Sequence, residues 1–229
     1  MKSRLKKIIP LFLSILYIPV ISCNDYLNVV PDNLPTIDHA FNNRYEAEGF
    51  LFGCFSFIPS HADINGNPAL TGGDEVWLID PIYGLGTPVL WGIAKGEQGT
   101  NAPLANYWSS YQSGLDTKGG KQLFTGIRDC NIFLEQIGKP FDLPDWERKQ
   151  WIAEAKFTKA YLYFWLFRMY GPLPIIEDNL PINASPEKVQ TYREPVDMVV
   201  DYIAGLLDEA VKDLPMKILD ITIDMGRPT

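Results

Sequence analysis

Residues 145–170 read DWERKQWIAEAKFTKAYLYFWLFRMY, a run without Gly or Pro that is rich in good helix formers. At 1.5 Å per residue, a helix of this length would be roughly 39 Å long. Its apolar residues recur every three or four positions, and they are Trp151, Phe157, Ala155, Ala160, Tyr161, Leu162, Phe164, Leu166, Phe167 and Met169. A helix that is apolar over so much of its girth must be covered on several sides. Because Gly171 can cap the helix and Pro172 cannot continue it, the sequence predicts a central helix from residue 145 to residue 170.

Two further segments before this helix show helical periodicity. A helix is predicted at about 44–58, where Asn43 and Glu46 have capping-box spacing and Pro59 ends the pattern. A second helix is predicted at 122–137, after a short helical piece at 106–112. The buried stripe of the first comprises Ala47, Phe50, Leu51, Cys54, Phe55 and Ile58, and that of the second comprises Leu123, Ile127, Cys130, Leu134 and Ile137.

A fourth helix is predicted at about 192–214. Thr191 and Glu194 have capping-box spacing, and Pro195 falls in the first turn, where proline is tolerated. One side of this helix is apolar and consists of Val196, Val199, Ile203, Leu206, Ala210 and Leu214. The four helices together predict a mostly all-α fold.

A long irregular segment separates the first two helices. Residues 59–104 contain five Pro and eight Gly, together with Trp77, Tyr83 and Trp91. Structureless connections longer than about 15 residues are uncommon in compact domains and are often functional. Since this one is too aromatic to be a solvated linker, we expect it to be ordered against the helices and to present some rings to solvent.

The amino terminus reads as a targeting segment. The basic residues 2–7 precede an apolar run of 14 residues at 8–21, and a membrane-spanning helix needs about 20. Residues 20–23 read VISC, which resembles the lipobox of bacterial lipoproteins. We therefore expect a signal peptide at 1–22, an acylated Cys23 and a polar tether at 23–35; the alternative is an ordinary secretory signal with a chance Cys.

Charge and composition exclude several classes of function. The formal net charge is −8, and all charged residues before residue 23 are positive, so the remainder is still more acidic. A surface that neutralises phosphates needs the opposite sign, which argues against nucleic acid as a partner. The chain has two His and no P-loop, GxGxxG or GxSxG motif, and the sequence predicts no cofactor and no metal site. Cys54 and Cys130 fall on apolar helix faces; buried free thiols are the default, and the sequence leaves a disulfide between them open.

Several pieces of the chain resemble one known family. Residues 154–164, EAKFTKAYLYF, and 170–175, YGPLPI, closely resemble a helix and turn of the SusD/RagB family of Bacteroidetes outer-membrane lipoproteins. Other pieces resemble the family in the same order along the chain, at 23–31, 40–55, 127–134, 193–215 and 226–229. The stretch 112–122 departs from the family because it is longer than the usual connection.

This resemblance implies tetratricopeptide-like helix pairs, which stack neighbour on neighbour. It also implies an outer-membrane protein, lipid-anchored at the cell surface, that captures an oligosaccharide or other nutrient and delivers it to a SusC-like, TonB-dependent transporter without catalysing a reaction. Residues 226–229 look like the start of another helix, so we expect 36–229 to be the N-terminal part of a helical domain that is incomplete at its C-terminus. Val199, Ile203 and Leu206 should then be partly exposed. A helical-repeat scaffold that binds only proteins is the alternative function, and a carbohydrate enzyme is a third.

Candidate ligand residues lie in the long irregular segment. Residues 71–77 read TGGDEVW and place two carboxylates beside a Trp, and flat aromatic rings with nearby acceptors suit sugar rings. We name Asp74, Trp77 and Trp91, although both Trp residues could equally pin the segment to the helices and Asp74 could cap a turn. The adjacent Asp74 and Glu75 cannot easily flank one glycosidic bond, which argues against hydrolysis. Four further rings are expected in the core: Trp108, Tyr111, Trp151 and Trp165.

Overall fold

The computed structural model describes residues 37–59, 92–97, 99, 106–108, 122–218, 220, 222 and 224–229. A short 3-10 helix, His39–Phe41, precedes the α-helices, which are α1 (Arg44–Phe55), α2 (Leu123–Gln136), α3 (Asp145–Tyr170), the one-turn α4 (Pro186–Val189) and α5 (Val196–Ala210). Over these ranges the backbone forms no β-strand, and the only extended pairing is an isolated bridge between Leu173 and Glu194. The mostly all-α prediction is therefore confirmed. No helix in the described part of the chain is long and apolar enough to cross a bilayer.

Helix α3 is the centre of the fold and has the predicted bounds. It contacts α2 and α5 along its length, and α1 packs against α2 and α3. Gly171 ends the helix with a φ of 69°, a left-handed conformation that favours glycine, and its N–H donates to the carbonyl of Phe167 at 2.9 Å. Gly171 therefore ends α3, as predicted, and does so through its backbone conformation.

The girth of α3 is covered by two apolar clusters. One surrounds Trp165 and includes Ile127 of α2 and Val199 of α5; the other surrounds Trp151 and includes Leu51 of α1. Trp151 and Trp165 are each only 1% exposed, which confirms that they belong to the core. Trp108 is half-buried and packs against the first cluster, whereas Tyr111 lies outside the described residues.

The N-terminal cap of α1 agrees with the prediction, but the C-terminal end of the helix does not. The Asn43 side chain accepts the N–H of Glu46 at 3.0 Å, so the predicted cap is confirmed. The helix ends at Phe55, three residues before the predicted end, and Ser56 Oγ donates to the carbonyl of Gly53 at 2.7 Å. Residues 56–58 form a turn because this hydroxyl competes for a carbonyl that helix continuation would use.

The start of α5 and the short piece near residue 106 differ from the prediction. Helix α5 begins at Val196 after an extended Pro195, and Thr191 and Glu194 do not form its cap. The reason is that the Glu194 N–H donates to the carbonyl of Leu173 at 2.8 Å, which fixes this stretch as an extended bridge. Residues 106–108 are not helical, and the rest of the predicted piece at 106–112 lies outside the described residues.

The buried face of α5 also differs from expectation. Val199 and Ile203 are buried and Leu206 is half-buried, because the long helix α3 covers this face. The expectation that these side chains would be partly exposed is wrong for Val199 and Ile203 and is confirmed for Leu206. The exposed apolar residues of α5 and its C-cap are Val196, Met198, Val200, Leu207 and Val211.

The family-like motif of α3 holds the segment that follows the helix. The Tyr163 hydroxyl accepts the N–H of Ile176 at 2.8 Å, and Lys159 Nζ donates to the carbonyl of Glu177 at 3.0 Å. Burial raises the pKa of Tyr163 and lowers the pKa of Lys159. These two side chains satisfy backbone groups that would otherwise lie unpaired against the helix, so their role in the motif is structural.

Gly126 marks the closest approach of α2 to its neighbours. A Cβ added at Gly126 would lie 2.7 Å from Cβ of Phe57 and 2.8 Å from Cδ1 of Leu162. We expect Gly126→Ala to lower the free energy of unfolding by about 1–3 kcal/mol through overpacking. The matched control is Gly205→Ala in α5, where no atom lies within 4 Å of the added Cβ and a gain of up to about 1 kcal/mol is expected. Urea unfolding checks both changes, and a Gly126→Ala protein as stable as Gly205→Ala would contradict the packing argument.

Candidate functional site

The site residues predicted from sequence fall outside the described part of the chain. Cys23, Asp74, Trp77 and Trp91 all lie there, so these predictions stay untested. The candidate site that can be built from described residues lies elsewhere, at the N-terminal ends of α1 and α3. The segments after α5 complete it.

A pair of hydrogen bonds fixes the start of α1 against the start of α3. Arg44 donates from Nε to Glu147 Oε2 at 2.7 Å and from Nη2 to Glu147 Oε1 at 2.5 Å. The backbone N–H of Arg44 donates to Asp142 Oδ1 at 2.7 Å. A bidentate arginine–carboxylate pair is among the strongest polar contacts in proteins and sets the relative position of its two helices.

Arg227 binds the same end of the helices from the C-terminal segment. Its Nη1 donates to Glu154 Oε2 of α3 at 2.8 Å, and its Nη2 pairs with Glu48 of α1. Gln150 Nε2 donates to the other oxygen of Glu154 at 2.9 Å. The Arg227 side chain is 5% exposed and that of Glu154 is 0% exposed, so this is a buried ion pair.

These charges surround the indole of Trp151. The guanidinium carbons of Arg44 and Arg227 lie 5.3 Å and 5.9 Å from its ring centroid. Beside them is a cavity of about 140 Å³, which we call the Trp146 pocket and whose lining includes Arg44, Glu48, Trp146, Glu147, Gln150 and Arg227. The pocket thus combines an aromatic ring with donors and acceptors fixed by ion pairs.

Trp146 is the residue that the sequence interpretation missed. It is 68% exposed, in contrast to the two buried Trp residues of the same helix. Its position on the helix gives no signal of this exposure, because at 3.6 residues per turn Trp146 shares its face of α3 with Phe157 and Phe164, which belong to the apolar girth. An exposed indole that lines a cavity can stack on a sugar face or on another flat group.

The electrostatics of the pocket favour binding of a neutral, polar group. The hydrogen bond to Glu147 raises the pKa of Arg44, so the guanidinium group stays charged. Burial raises the pKa of Glu154, and the contacts with Gln150 and Arg227 act in the opposite direction. The acidic side chains are thus used in ion pairs. No cluster of three or more metal-ligating side chains occurs in the portion that the structure covers.

Helices packed around the central helix α3, with a pocket at one end that is lined by an exposed indole, form a helical protein with a candidate binding site. The chain belongs to the SusD-like family, whose model matches residues 96–226 and whose description is starch-binding, associating with the outer membrane. The family resemblance noted in the sequence is thereby confirmed, as is the tetratricopeptide-like fold.

Solved structures of SusD-like proteins share this fold. A laminarin-binding SusD-like protein has a TM-score of 0.63 at 21% identity over 82% of this chain and 38% of its own. A SusD-like protein from Bacteroides fragilis has a TM-score of 0.62 at 18% identity over 84% of this chain and 33% of its own. This chain therefore spans little more than a third of the length of these relatives. A search of curated proteins found no significant match.

Proposed function

We propose that this protein is a cell-surface lipoprotein that captures a glycan and delivers it to a TonB-dependent transporter of the outer membrane. The observation that carries the proposal is the match of residues 96–226 to a starch-binding, outer-membrane-associated family. The proposal includes removal of residues 1–22 and acylation of Cys23, which would hold the helical domain at the membrane through several acyl chains. It also holds that the protein binds its ligand without chemical change.

The chemistry of the described residues supports a glycan as ligand. Pyranose rings present an apolar face that stacks on indole and hydroxyl groups that pair with carboxylates, amides and guanidinium groups. The Trp146 pocket offers both kinds of group. Asp74, Trp77 and Trp91 remain proposed contacts of a ligand site in the long irregular segment.

A second candidate function is a helical scaffold that binds only another protein. The exposed apolar residues of α5 and its C-cap, which are Val196, Met198, Val200, Leu207 and Val211, favour this candidate. The two functions differ in one measurable property. A scaffold would give no heat with any glycan, whereas a nutrient receptor would.

Isothermal titration of the full chain with laminarin and starch oligosaccharides tests the proposed function. Binding of one glycan class is expected, and Trp146→Ala should weaken it about threefold to tenfold, the range that loss of one stacking ring produces. The matched control is Phe141→Ala, which removes an even more exposed ring that does not line the pocket and should leave the affinity unchanged. Trp77→Ala and Trp91→Ala are measured in parallel.

The outcomes separate the parts of the proposal. Loss of affinity only in Trp77→Ala or Trp91→Ala would keep the glycan function and remove the Trp146 pocket from it. If no glycan gave heat and the protein bound an outer-membrane β-barrel partner, the glycan-receptor function would be refuted and the protein-binding scaffold supported.

A further inference from the structure

The two cysteines of the helical domain meet in its core. Cys54 lies on α1 and Cys130 on α2, both are free thiols, and both are fully buried. They belong to the same apolar cluster, together with Leu51 and Phe133. Helices α1 and α2 pack against each other, and the two buried cysteine side chains lie in the cluster that joins them, where the Cys130 thiol interacts with Cys54.

We propose that Cys54 and Cys130 form a disulfide that cross-links α1 to α2 in the exported protein. The proposal rests on the export step of the proposed function, because disulfides form and persist in oxidising compartments and not in the cytosol. It does not depend on the ligand. A disulfide requires an S–S distance of about 2.05 Å, so the two side chains must turn toward each other for the bond to form.

The reaction is a thiol–disulfide exchange with a periplasmic protein disulfide as the oxidant. One cysteine thiolate attacks the oxidant disulfide and forms a mixed disulfide, and the second cysteine thiolate then displaces the reduced oxidant. The two cysteines lose two protons and two electrons, and the oxidant disulfide becomes a dithiol. No other co-reactant is needed.

Burial determines when this reaction takes place. The hydrogen bond to Cys54 and burial both raise the pKa of Cys130, which keeps its thiol protonated and unreactive in the folded protein. An oxidant protein also cannot reach two sulfur atoms that are fully buried. The cross-link therefore forms during folding, before α1 closes on α2, and a chain folded with reduced cysteines oxidises slowly afterwards.

The cross-link closes a long loop and should stabilise the domain. It spans residues 54–130, a separation at which loop-closure entropy removed from the unfolded chain is large. For a protein of this size the melting temperature should fall by about 5–15 °C when the disulfide is reduced. The double variant Cys54→Ala/Cys130→Ala is the matched control, because it cannot change on reduction.

The experiment uses the full chain, exported by its own leader in a bacterial host. Cells are denatured in excess N-ethylmaleimide, and the protein is mapped by mass spectrometry with and without reduction. A peptide pair linked through Cys54 and Cys130, together with a melting temperature that a phosphine reductant lowers only in the unmutated protein, is the expected result. Maleimide on both cysteines of the acylated, exported protein would overturn the proposal.

The same sample separates this proposal from the proposed function. Free thiols in a protein that is acylated at Cys23 and binds a glycan would refute the disulfide alone. Free thiols in an unacylated protein recovered from the cytosol would overturn both the disulfide and the export step on which it rests. A linked pair in a protein that binds no glycan would support the disulfide and refute the glycan receptor.

Discussion

Trp165→Ala is expected to lower the free energy of unfolding by about 3–5 kcal/mol, whereas Trp146→Ala, the same change on the same helix, should cost less than about 0.5 kcal/mol. Trp165 is 1% exposed and Trp146 is 68% exposed. The Trp165 ring packs edge-on against Tyr107 at 5.7 Å and tilted against Tyr161 at 6.5 Å. Removing it leaves a cavity that rigid helices on several sides cannot close.

The contact with Tyr107 extends the effect beyond the helices. Tyr107 belongs to the segment 106–108, and its backbone N–H donates to the Tyr170 hydroxyl at 3.0 Å. Loss of the Trp165 ring removes the apolar surface on which this segment lies, so we expect it to loosen as well. Hydrogen exchange at residues 106–108 would report this local change.

Urea unfolding followed by circular dichroism measures the two tryptophan variants without relying on their fluorescence. Trp165→Phe is a third variant and should recover part of the loss, since it keeps an aromatic ring in the same space. Equal losses for Trp165→Ala and Trp146→Ala would show that exposure does not separate the two residues. The argument that Trp146 is available to a ligand would then lose its basis.

Local signals in the sequence were sufficient for α3 but not for α5. Helix α3 runs without Gly or Pro from Asp145 to Tyr170 and then meets Gly171, so both bounds follow from residues within one turn of the ends. The start of α5 depends on the N–H of Glu194, which pairs with the carbonyl of Leu173 more than 20 positions earlier. Capping-box spacing describes only residues within one turn. It cannot reveal that a carbonyl from a distant part of the chain accepts the N–H of a predicted capping residue.

The Trp146 pocket is hidden from the sequence for the same reason. Glu154 is part of the family-like motif, but its partner Arg227 lies 73 residues further along, and Glu48 and Arg227 are 179 residues apart. Each of these residues alone reads as an ordinary charged position on a helix or in a loop. Only the packing of α1 against α3 shows that Glu48, Glu154 and Arg227 lie next to one another in the interior.

Arg227→Ala is expected to lower the free energy of unfolding by about 3–5 kcal/mol, because it leaves the buried carboxylate of Glu154 without its cation. If the segment 224–229 detaches and water reaches Glu154, the loss falls toward the lower end of this range. The matched control is Lys156→Ala, which breaks the Lys156–Glu209 pair, where the two side chains are 28% and 55% exposed. An exposed ion pair contributes about 0–1 kcal/mol, so the control should change stability little.

The pH dependence identifies the carboxylate as the cause. Burial already holds the pKa of Glu154 above the ordinary value of 4.5, and Arg227 opposes this shift. Removing the arginine therefore raises the pKa of Glu154 further. A carboxyl group whose pKa is higher in the folded than in the unfolded protein costs stability when ionised, and this cost shrinks as the pH falls through the folded pKa toward 4.5. The loss in Arg227→Ala should accordingly be larger at pH 7.5 than at pH 5.

Neutralising Glu154 completes the argument. In the double variant Glu154→Gln/Arg227→Ala the amide can still accept from Gln150 and no charge is left in the core, so part of the stability lost in Arg227→Ala should return. Urea unfolding at pH 7.5 and pH 5 measures the free energy of unfolding of four proteins. They are the unmutated protein and the variants Arg227→Ala, Lys156→Ala and Glu154→Gln/Arg227→Ala. If Arg227→Ala and Lys156→Ala lost the same stability at both pH values, the Arg227–Glu154 pair would be no more than a surface contact, and it would not fix the walls of the Trp146 pocket. A return of stability in the double variant would instead show that the uncompensated charge of Glu154, and not the lost packing of the arginine stem, causes the loss of stability in Arg227→Ala.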